Sequence, residues 1–311
     1  SPLTLCNAFT PFANGGCYSL PSCIIRIEDR QGKALYERPD TKKAVLSKST
    51  AFLITSMLQT AADTGTARRV KVEGVPVAAK TGTSSSTATE GNKDAWTVAY
   101  NPEYTMCCWM GFDSTDEWHS LPADVTGGTY PAVLIRKMFE YLYKNRPAPD
   151  FVVPDSVVKV TIDARSLKNG TQPMLASAYT PEDDALTEYF PKDHAPKQYS
   201  DYWAVPKPPH DLSVVIGMGG YPRVRFTPPQ SFAVYRLMRI DLESGESELV
   251  GEYEGRDGQV DIIDYDAQYG HRYEYHVVPT HPEILIDGEP MKGSPSARVV
   301  IEVQEEEYYM P

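Results

Sequence analysis

The sequence predicts an α+β unit built on an antiparallel sheet with helices, followed by an all-β sandwich. Residues 1–145 read as helix, hairpin, helix, three strand-like runs and a last helix, an order that sets helices against antiparallel strands. Residues 211–304 hold seven or eight short apolar runs separated by Gly, Pro and Asp, the spacing of a sandwich. Charge divides as well. Residues 1–150 hold 16 Lys/Arg against 15 Asp/Glu, whereas residues 151–311 hold 14 against 27.

In chain order, Leu3, Leu5, Ala8, Phe9 and Phe12 recur at helical spacing, and Asn14-Gly15-Gly16 supplies a stop. Residues 24–27 and 34–36 flank a polar turn at 28–33, a hairpin pattern. Ser47 can cap a second helix with an apolar face of Ala51, Ile54, Met57, Leu58 and Ala61, ended by Gly65. Residues 75–79, 96–100 and 105–111 are β-like, the last two joined by Asn101-Pro102-Glu103. A final helix fits 133–143 after Gly127-Gly128. Residues 146–210, with prolines from Pro147 to Pro208-Pro209, read as an irregular connector with short strands at 152–153 and 157–162.

The sandwich strands are expected at 214–216, 224–226, 232–238, 248–253, 260–263, 273–277, 284–286 and 297–303. Tyr273, Tyr275 and Val277 alternate onto one face behind the Gly270 turn. That arrangement suits a tyrosine corner at the start of a strand and resembles immunoglobulin-like and fibronectin type III folds. Residues 305–311 read as a solvated acidic tail.

Composition excludes several function classes. Hydrophobic residues at 41% and charged residues at 23% are ordinary for globular protein. No run approaches the roughly 18 apolar residues of a membrane span, and residues 1–5 lack the pattern of a secretory signal. The acidic half argues against nucleic acid, whose phosphates it would repel. Cys6, Cys17, Cys23, Cys107 and Cys108 form no Cys-x-x-Cys, and Cys107 and Cys108 sit in an apolar run where cysteine acts as a small hydrophobe. The six histidines form no His-x3-His pair, so neither a metal nor a cofactor is expected. His271 and His276 flank a strand-like run and are expected to face solvent.

The chemistry is concentrated in Val77-Ala78-Ala79-Lys80-Thr81-Gly82-Thr83, where a cation, two hydroxyls and a glycine follow a short apolar strand. On such a strand Lys80 and Gly82 share one face, and Thr81 and Thr83 the other. The glycine removes a side chain where a ligand could approach the backbone. An anion, above all a carboxylate, held by a cation and hydroxyls beside an open strand is the arrangement that follows. The bland alternative is an edge strand with an exposed Lys and a flexible Thr/Ser loop.

Lys-Thr-Gly is one of three signatures of penicillin-binding proteins and class A β-lactamases. Around it stand Lys93-Asp94-Ala95-Trp96, Asn101-Pro102 and Trp109-Met110-Gly111-Phe112-Asp113, preceded by Phe12-Ala13-Asn14-Gly15-Gly16 and Gly65-Thr66-Ala67. As a set, residues 1 to about 145 resemble the C-terminal part of the transpeptidase domain of class A penicillin-binding proteins. Glu188-Tyr189-Phe190 and Ala195-Pro196 are similar to the short tail that follows that domain. A β-lactamase fits less well, because those enzymes end soon after this strand.

The resemblance implies a serine-type D,D-transpeptidase that crosslinks peptidoglycan stem peptides ending in D-Ala-D-Ala and is acylated by β-lactams. Lys80 would make the field beside the nucleophile positive, Thr81 and Thr83 would hold the donor carboxylate, Gly82 would let the substrate backbone lie alongside, and the Thr83 N–H would be an oxyanion donor. The family also implies an upstream glycosyltransferase, a membrane anchor and action on the outer face of the bacterial cytoplasmic membrane.

The nucleophile has no place in this sequence. Its Ser-x-x-Lys occurs only as Ser156-Val157-Val158-Lys159, after the Lys-Thr-Gly strand and in a β-branched run where Ser and Lys would point to opposite faces. No Ser-x-Asn occurs, and Tyr143-Lys144-Asn145 reads as a helix terminus. Ser84, Ser85 and Ser86 have no base beside them. The chain alone is therefore expected neither to react with penicillin nor to crosslink peptides. Alternatives are a non-catalytic adaptor whose sandwich binds a cell-wall or division partner, and a D,D-carboxypeptidase completed by a second chain.

Overall fold

Ser1 acts as a helix cap, its side chain accepting the Thr4 amide, and Pro2 takes the first position of α1 (Pro2–Ala13), where no amide is needed. This computed structural model describes residues 1–304 other than 88, 115 and 169–171, so the acidic tail at 305–311 lies outside the described residues. Asn14 ends α1 by accepting the Cys17 amide at 2.9 Å, and Gly16 turns the chain at φ 101°. A Cβ on Gly16 would lie 2.2 Å from the Leu46 carbonyl oxygen, so only glycine fits. There follow β1 (Cys17–Tyr18), the hairpin of β2 (Arg26–Glu28) with β3 (Ala34–Glu37), and β4 (Lys43–Ala44), which pairs with β1.

Ser47 caps α2 (Lys48–Asp63) by accepting the Thr50 amide at 3.0 Å. The buried face of α2 differs from the expected one: Ala51, Phe52, Thr55 and Ala62 are buried, while Met57 is 63% exposed. Thr55 can face inward because its hydroxyl donates to the Ala51 carbonyl at 2.8 Å and bonds the Tyr100 hydroxyl at 3.0 Å. A polar residue satisfied in this way turns the stripe from the one that apolar spacing suggests.

β5 (Ala78–Ser85), β6 (Asn92–Tyr100) and β7 (Thr105–Gly111) form an antiparallel sheet in that order, leaving β5 at its edge. The expected strand at 75–79 is displaced. Pairing with β6 begins at Ala78 opposite Tyr100 and runs through the polar tetrad to Ser85 opposite Asn92. Asn101 shapes the turn between β6 and β7, its Oδ1 accepting the Glu103 and Tyr104 amides at 3.0 and 2.8 Å. Its Nδ2 donates to the Tyr143 hydroxyl at 2.6 Å, tying that turn to the end of α3 (Tyr130–Leu142). Ala132, Ile135 and Phe139 of α3 share a core with Val70, Ala79, Ala99 and Met106.

The chain divides into two compact units, residues 1–160 with 187–195, and residues 161–186 with 196–311. Residues 146–210, irregular on the sequence reading, carry β8 (Val157–Asp163) and β9 (Ala185–Pro191), paired as a ribbon. Residues 152–153 form no strand. In the second unit, Asp163 is fully buried, accepting from Ser200 Oγ at 2.5 Å, the Arg165 amide at 2.9 Å and Trp203 Nε1 at 3.3 Å.

The sandwich strands are β10 (Ser213–Ile216), β11 (Pro222–Phe226), β12 (Val234–Asp241), β13 (Ser247–Glu254), β14 (Val260–Ile263), β15 (Arg272–Ile286), β16 (Glu289–Lys292) and β17 (Val299–Glu302). One sheet has the order β10-β11-β14; the other runs β13-β12-β15-β16, with β17 also on β15. Val224, Phe226, Tyr235, Leu237, Tyr275 and Val277 fill the core. The runs at 273–277 and 284–286 are one strand broken by a register shift, and β16 carries no apolar run that would reveal it. The Tyr273 hydroxyl accepts the Gln268 amide at 3.1 Å, the back-bond of a tyrosine corner.

The expectation that His271 and His276 face solvent fails for His276, which is 9% exposed, and burial holds its imidazole below the usual histidine range. His271 is half-buried, stacked on Tyr273 with its Nδ1 at 2.7 Å from Asp241.

Candidate active site

The Lys80-Thr81-Gly82-Thr83 tetrad lies within β5, paired in register with Val98, Thr97, Trp96 and Ala95 of β6. The other side of β5 has no strand among the described residues. The register puts Thr81, Thr83 and Thr97 on one face and Lys80 and Gly82 on the other, as the pleat requires. Lys80, Gly82 and Thr83 are exposed, Thr81 half-buried.

Each side chain is held by a neighbouring element. Thr81 Oγ1 bonds Thr66 Oγ1 at 2.8 Å, fixing the strand against the loop after α2. Thr83 Oγ1 accepts the Gly127 amide at 3.0 Å, and Thr97 Oγ1 donates to the Gly127 carbonyl. Gly127 is clamped so closely that a Cβ would lie 2.1 Å from the Trp96 carbonyl oxygen and 2.7 Å from that of Gly82. Gly82 is different: a Cβ there would meet only the Trp96 Cβ, at the ordinary distance of 3.6 Å. The chain's own packing therefore does not require glycine at 82, which leaves that position free for approach by a ligand.

The hydroxyls retain chemistry. Thr83 accepts from Gly127, so its own proton is available to an anion. Of the Thr66–Thr81 pair one proton is used between them and the other is free. The Lys80 ammonium donates to the Thr81 carbonyl at 2.5 Å, its one side-chain hydrogen bond among the described residues. Available hydroxyl protons on one face of β5, a cation on the other and an unpaired strand edge between them thus lie within four residues; the hydroxyls can bind a carboxylate, and the edge can align an extended peptide backbone.

Asp94 supports the strand and went unassigned in the sequence reading. Its carboxylate accepts Ser84 Oγ at 2.8 Å and Trp109 Nε1 at 2.9 Å, joining all three strands. Asp94 stands two residues before Trp96 in Lys93-Asp94-Ala95-Trp96, which put it on the face of Trp96, whose ring packs 6.0 Å from that of Trp109. That signal was legible.

The other candidates fall outside the tetrad. Ser156 immediately precedes β8, and Lys159 lies on the strand with its Nζ 5.4 Å from the Tyr189 ring, so the two do not share a helical turn. Tyr143 caps α3, so Tyr143-Lys144-Asn145 is a helix end. Burial pushes the Cys107 thiol up to about 11 and raises those of Cys6 and Cys108, which makes these sulfurs poor nucleophiles. Among the described residues one group has metal-ligand geometry, Asp241, Glu243 and His271, with ligand atoms within 4.8 Å. Asp241 already accepts the Glu243 and Ser244 amides, and Glu243 accepts the Arg272 amide, so these groups tie one loop together.

Comparison with known proteins fits this geometry. Residues 1–112 match the family described as penicillin binding protein transpeptidase domain, and residues 153–204 match the penicillin-binding protein 1A C-terminal domain. Residues 1–112 and 153–204 thus belong to domain families of the penicillin-binding proteins. The chain is 36% identical over 212 residues to penicillin-binding protein 1A/1B of Bacillus subtilis, covering 64% of this chain and 22% of that protein. To penicillin-binding protein 1F of the same organism it is 40% identical over 137 residues, covering 44% and 19%. The structure of penicillin-binding protein 1A from Haemophilus influenzae superposes with a TM-score of 0.52 at 23% identity, over 64% of this chain and 33% of that one, a likeness of fold. The chain thus spans about a fifth of the length of these curated relatives. No described helix is long and apolar enough to cross a membrane.

Proposed function

We propose that residues 1–145 form the C-terminal part of the transpeptidase domain of a class A penicillin-binding protein, with β5 as its substrate-binding strand. The observation that carries this reading is the edge position of Lys80-Thr81-Gly82-Thr83, with hydroxyl protons and a cation beside an unpaired backbone. In the reaction a serine oxygen attacks the penultimate D-Ala carbonyl of a stem peptide, the C–N bond breaks, and D-Ala leaves with a proton on its amine. The amine of a neighbouring peptide then attacks the ester and frees the serine. Thr81 and Thr83 hydroxyls bind the donor's terminal carboxylate, and Lys80 stabilises the negative charge nearby. The Thr83 N–H is one of two donors to the oxyanion, a role whose loss typically costs about 100- to 1,000-fold in rate. β-Lactams enter because they present a carboxylate at the same distance from a strained amide.

The serine and its lysine are supplied by polypeptide outside residues 1–311, and these residues alone do not become acylated. Action on the outer face of the bacterial cytoplasmic membrane, an upstream glycosyltransferase and a membrane anchor belong to the same reading. Residues 146–210 join this part to a fibronectin type III-like or immunoglobulin-like sandwich at 211–304. Incubation of the 311-residue chain with a fluorescent penicillin is expected to leave its intact mass unchanged; a stoichiometric adduct would place a working nucleophile inside these residues and refute the division.

A further inference from the structure

The sandwich carries an exposed aromatic group with no part in its core. Tyr221, just before β11, has its ring centroid 5.3 Å from that of Tyr265 and 5.3 Å from that of Tyr269. Tyr265 is 68% and Tyr269 42% exposed. The group is anchored from below, since the Tyr269 hydroxyl donates to the Gly219 carbonyl at 2.7 Å. The Tyr221 and Tyr265 hydroxyls make no protein hydrogen bond among the described residues, so both remain available to a ligand.

The same face continues along the sheet. Val224, Phe226 and Val260 point into the core, so the alternation turns Arg223, Arg225 and Asp261 outward. Asp261 accepts from Arg223 at 2.7 and 2.7 Å and from Arg225 at 3.0 Å. A guanidinium has five N–H donors, so most of those on both arginines stay unused within this group. The surface thus joins three phenol rings to fixed hydrogen-bond donors and acceptors.

We propose that Tyr221, Tyr265 and Tyr269, with Arg223, Arg225 and Asp261, form a platform for an uncharged polysaccharide chain. Tyr221 stands at 64° to Tyr265 and 42° to Tyr269, so a sugar ring packs its apolar face on an exposed phenol while its hydroxyl or amide groups bond the free phenol hydroxyls and the arginines. Tyrosine suits this use because it joins an apolar face to a polar tip. The apolar part is three rings, too small for a stable protein interface, which needs roughly 1,200 Å² or more of buried surface. A polyanion is disfavoured by the excess of 27 acidic over 14 basic residues in 151–311.

The site is remote in sequence from residues 80–83, and its test separates the two readings. The full chain is titrated calorimetrically with the N-acetylglucosamine hexamer and pelleted with insoluble chitin. Binding to both is expected. Tyr265→Ala and Tyr221→Ala should each weaken it about tenfold, without altering thermal unfolding, and Lys80→Ala should leave it unchanged. Absence of binding to both probes overturns the proposal, as does binding that both tyrosine variants leave intact or that high salt abolishes. Tyr265→Phe keeps the ring and loses only the hydroxyl, so it should retain most of the affinity.

Discussion

The β5 edge and the sandwich interior both carry charge and hydroxyls, and they use them in opposite ways. Inside the sandwich Arg239 is 8% and Asp264 3% exposed. Arg239 Nη1 donates to both Asp264 oxygens at 2.9 Å, the Tyr275 hydroxyl donates to the same carboxylate at 2.7 Å, and Glu248 takes another arginine N–H. Every member has a partner, and burial together with the carboxylate pushes the Tyr275 phenol far above its usual range. On β5, by contrast, Thr83 accepts without donating, Lys80 bonds one carbonyl, and the strand edge is open. A polar group enclosed and satisfied by its own chain holds a fold; one that the chain positions and leaves open is available for chemistry.

Breaking the enclosed network should have the largest effect. Asp264→Ala leaves the Arg239 guanidinium buried without its main counter-charge and is expected to cost about 3–5 kcal/mol, read as a lowered urea midpoint. A loss below 1 kcal/mol would mean the interior is wetter than its burial implies. Beside β5 the corresponding change is Gly127→Ala. Its Cβ would start 2.1 Å from the Trp96 carbonyl oxygen and must push the 126–128 turn away from Thr83. Overpacking of this kind costs about 1–3 kcal/mol, and the Thr83 and Gly127 amides should shift in a heteronuclear NMR spectrum. Gly82→Ala is the matched control, expected to change stability far less because its Cβ has only a 3.6 Å contact.

A smaller effect depends on pH. The Ser244 amide, the His271 ring and the Glu243 amide hold the Asp241 carboxyl down at about 2, below its usual range. A depressed carboxyl contributes stability that is present above the unfolded-state value near 3.9 and is lost as pH falls through the folded one. Between about pH 4 and pH 2 the wild type should therefore lose more stability than Asp241→Asn. Equal acid limbs for the two proteins would show that this loop contributes nothing to the titration.

Much of this arrangement was legible in the sequence because local chemistry dictates it. Ser47 as a cap, Asn14-Gly15-Gly16 as a stop, Asn101 in a turn and Tyr273 as a corner each work through a bond to backbone a few residues away. What escaped depends on partners distant in the chain. Thr55 faces inward because Tyr100 meets it, 45 residues away, and β5 extends past Ala79 because β6 supplies a matching edge. His276 is buried on a strand whose neighbours its own flanks do not reveal. Arg239 could have been suspected, since Tyr235, Leu237 and Arg239 alternate onto one face, but its partner Asp264 lies just past β14 and joins it only in the folded sheet pair.

The most direct test of β5 as the substrate strand is an NMR titration of the isotopically labelled 311-residue chain with a β-lactam. Saturable amide shifts centred on Lys80 to Thr83 that reverse on removing the compound are the expected result: a carboxylate held by the strand with no serine to acylate. Shifts confined to other residues, or shifts that persist after the β-lactam is removed, would contradict the account.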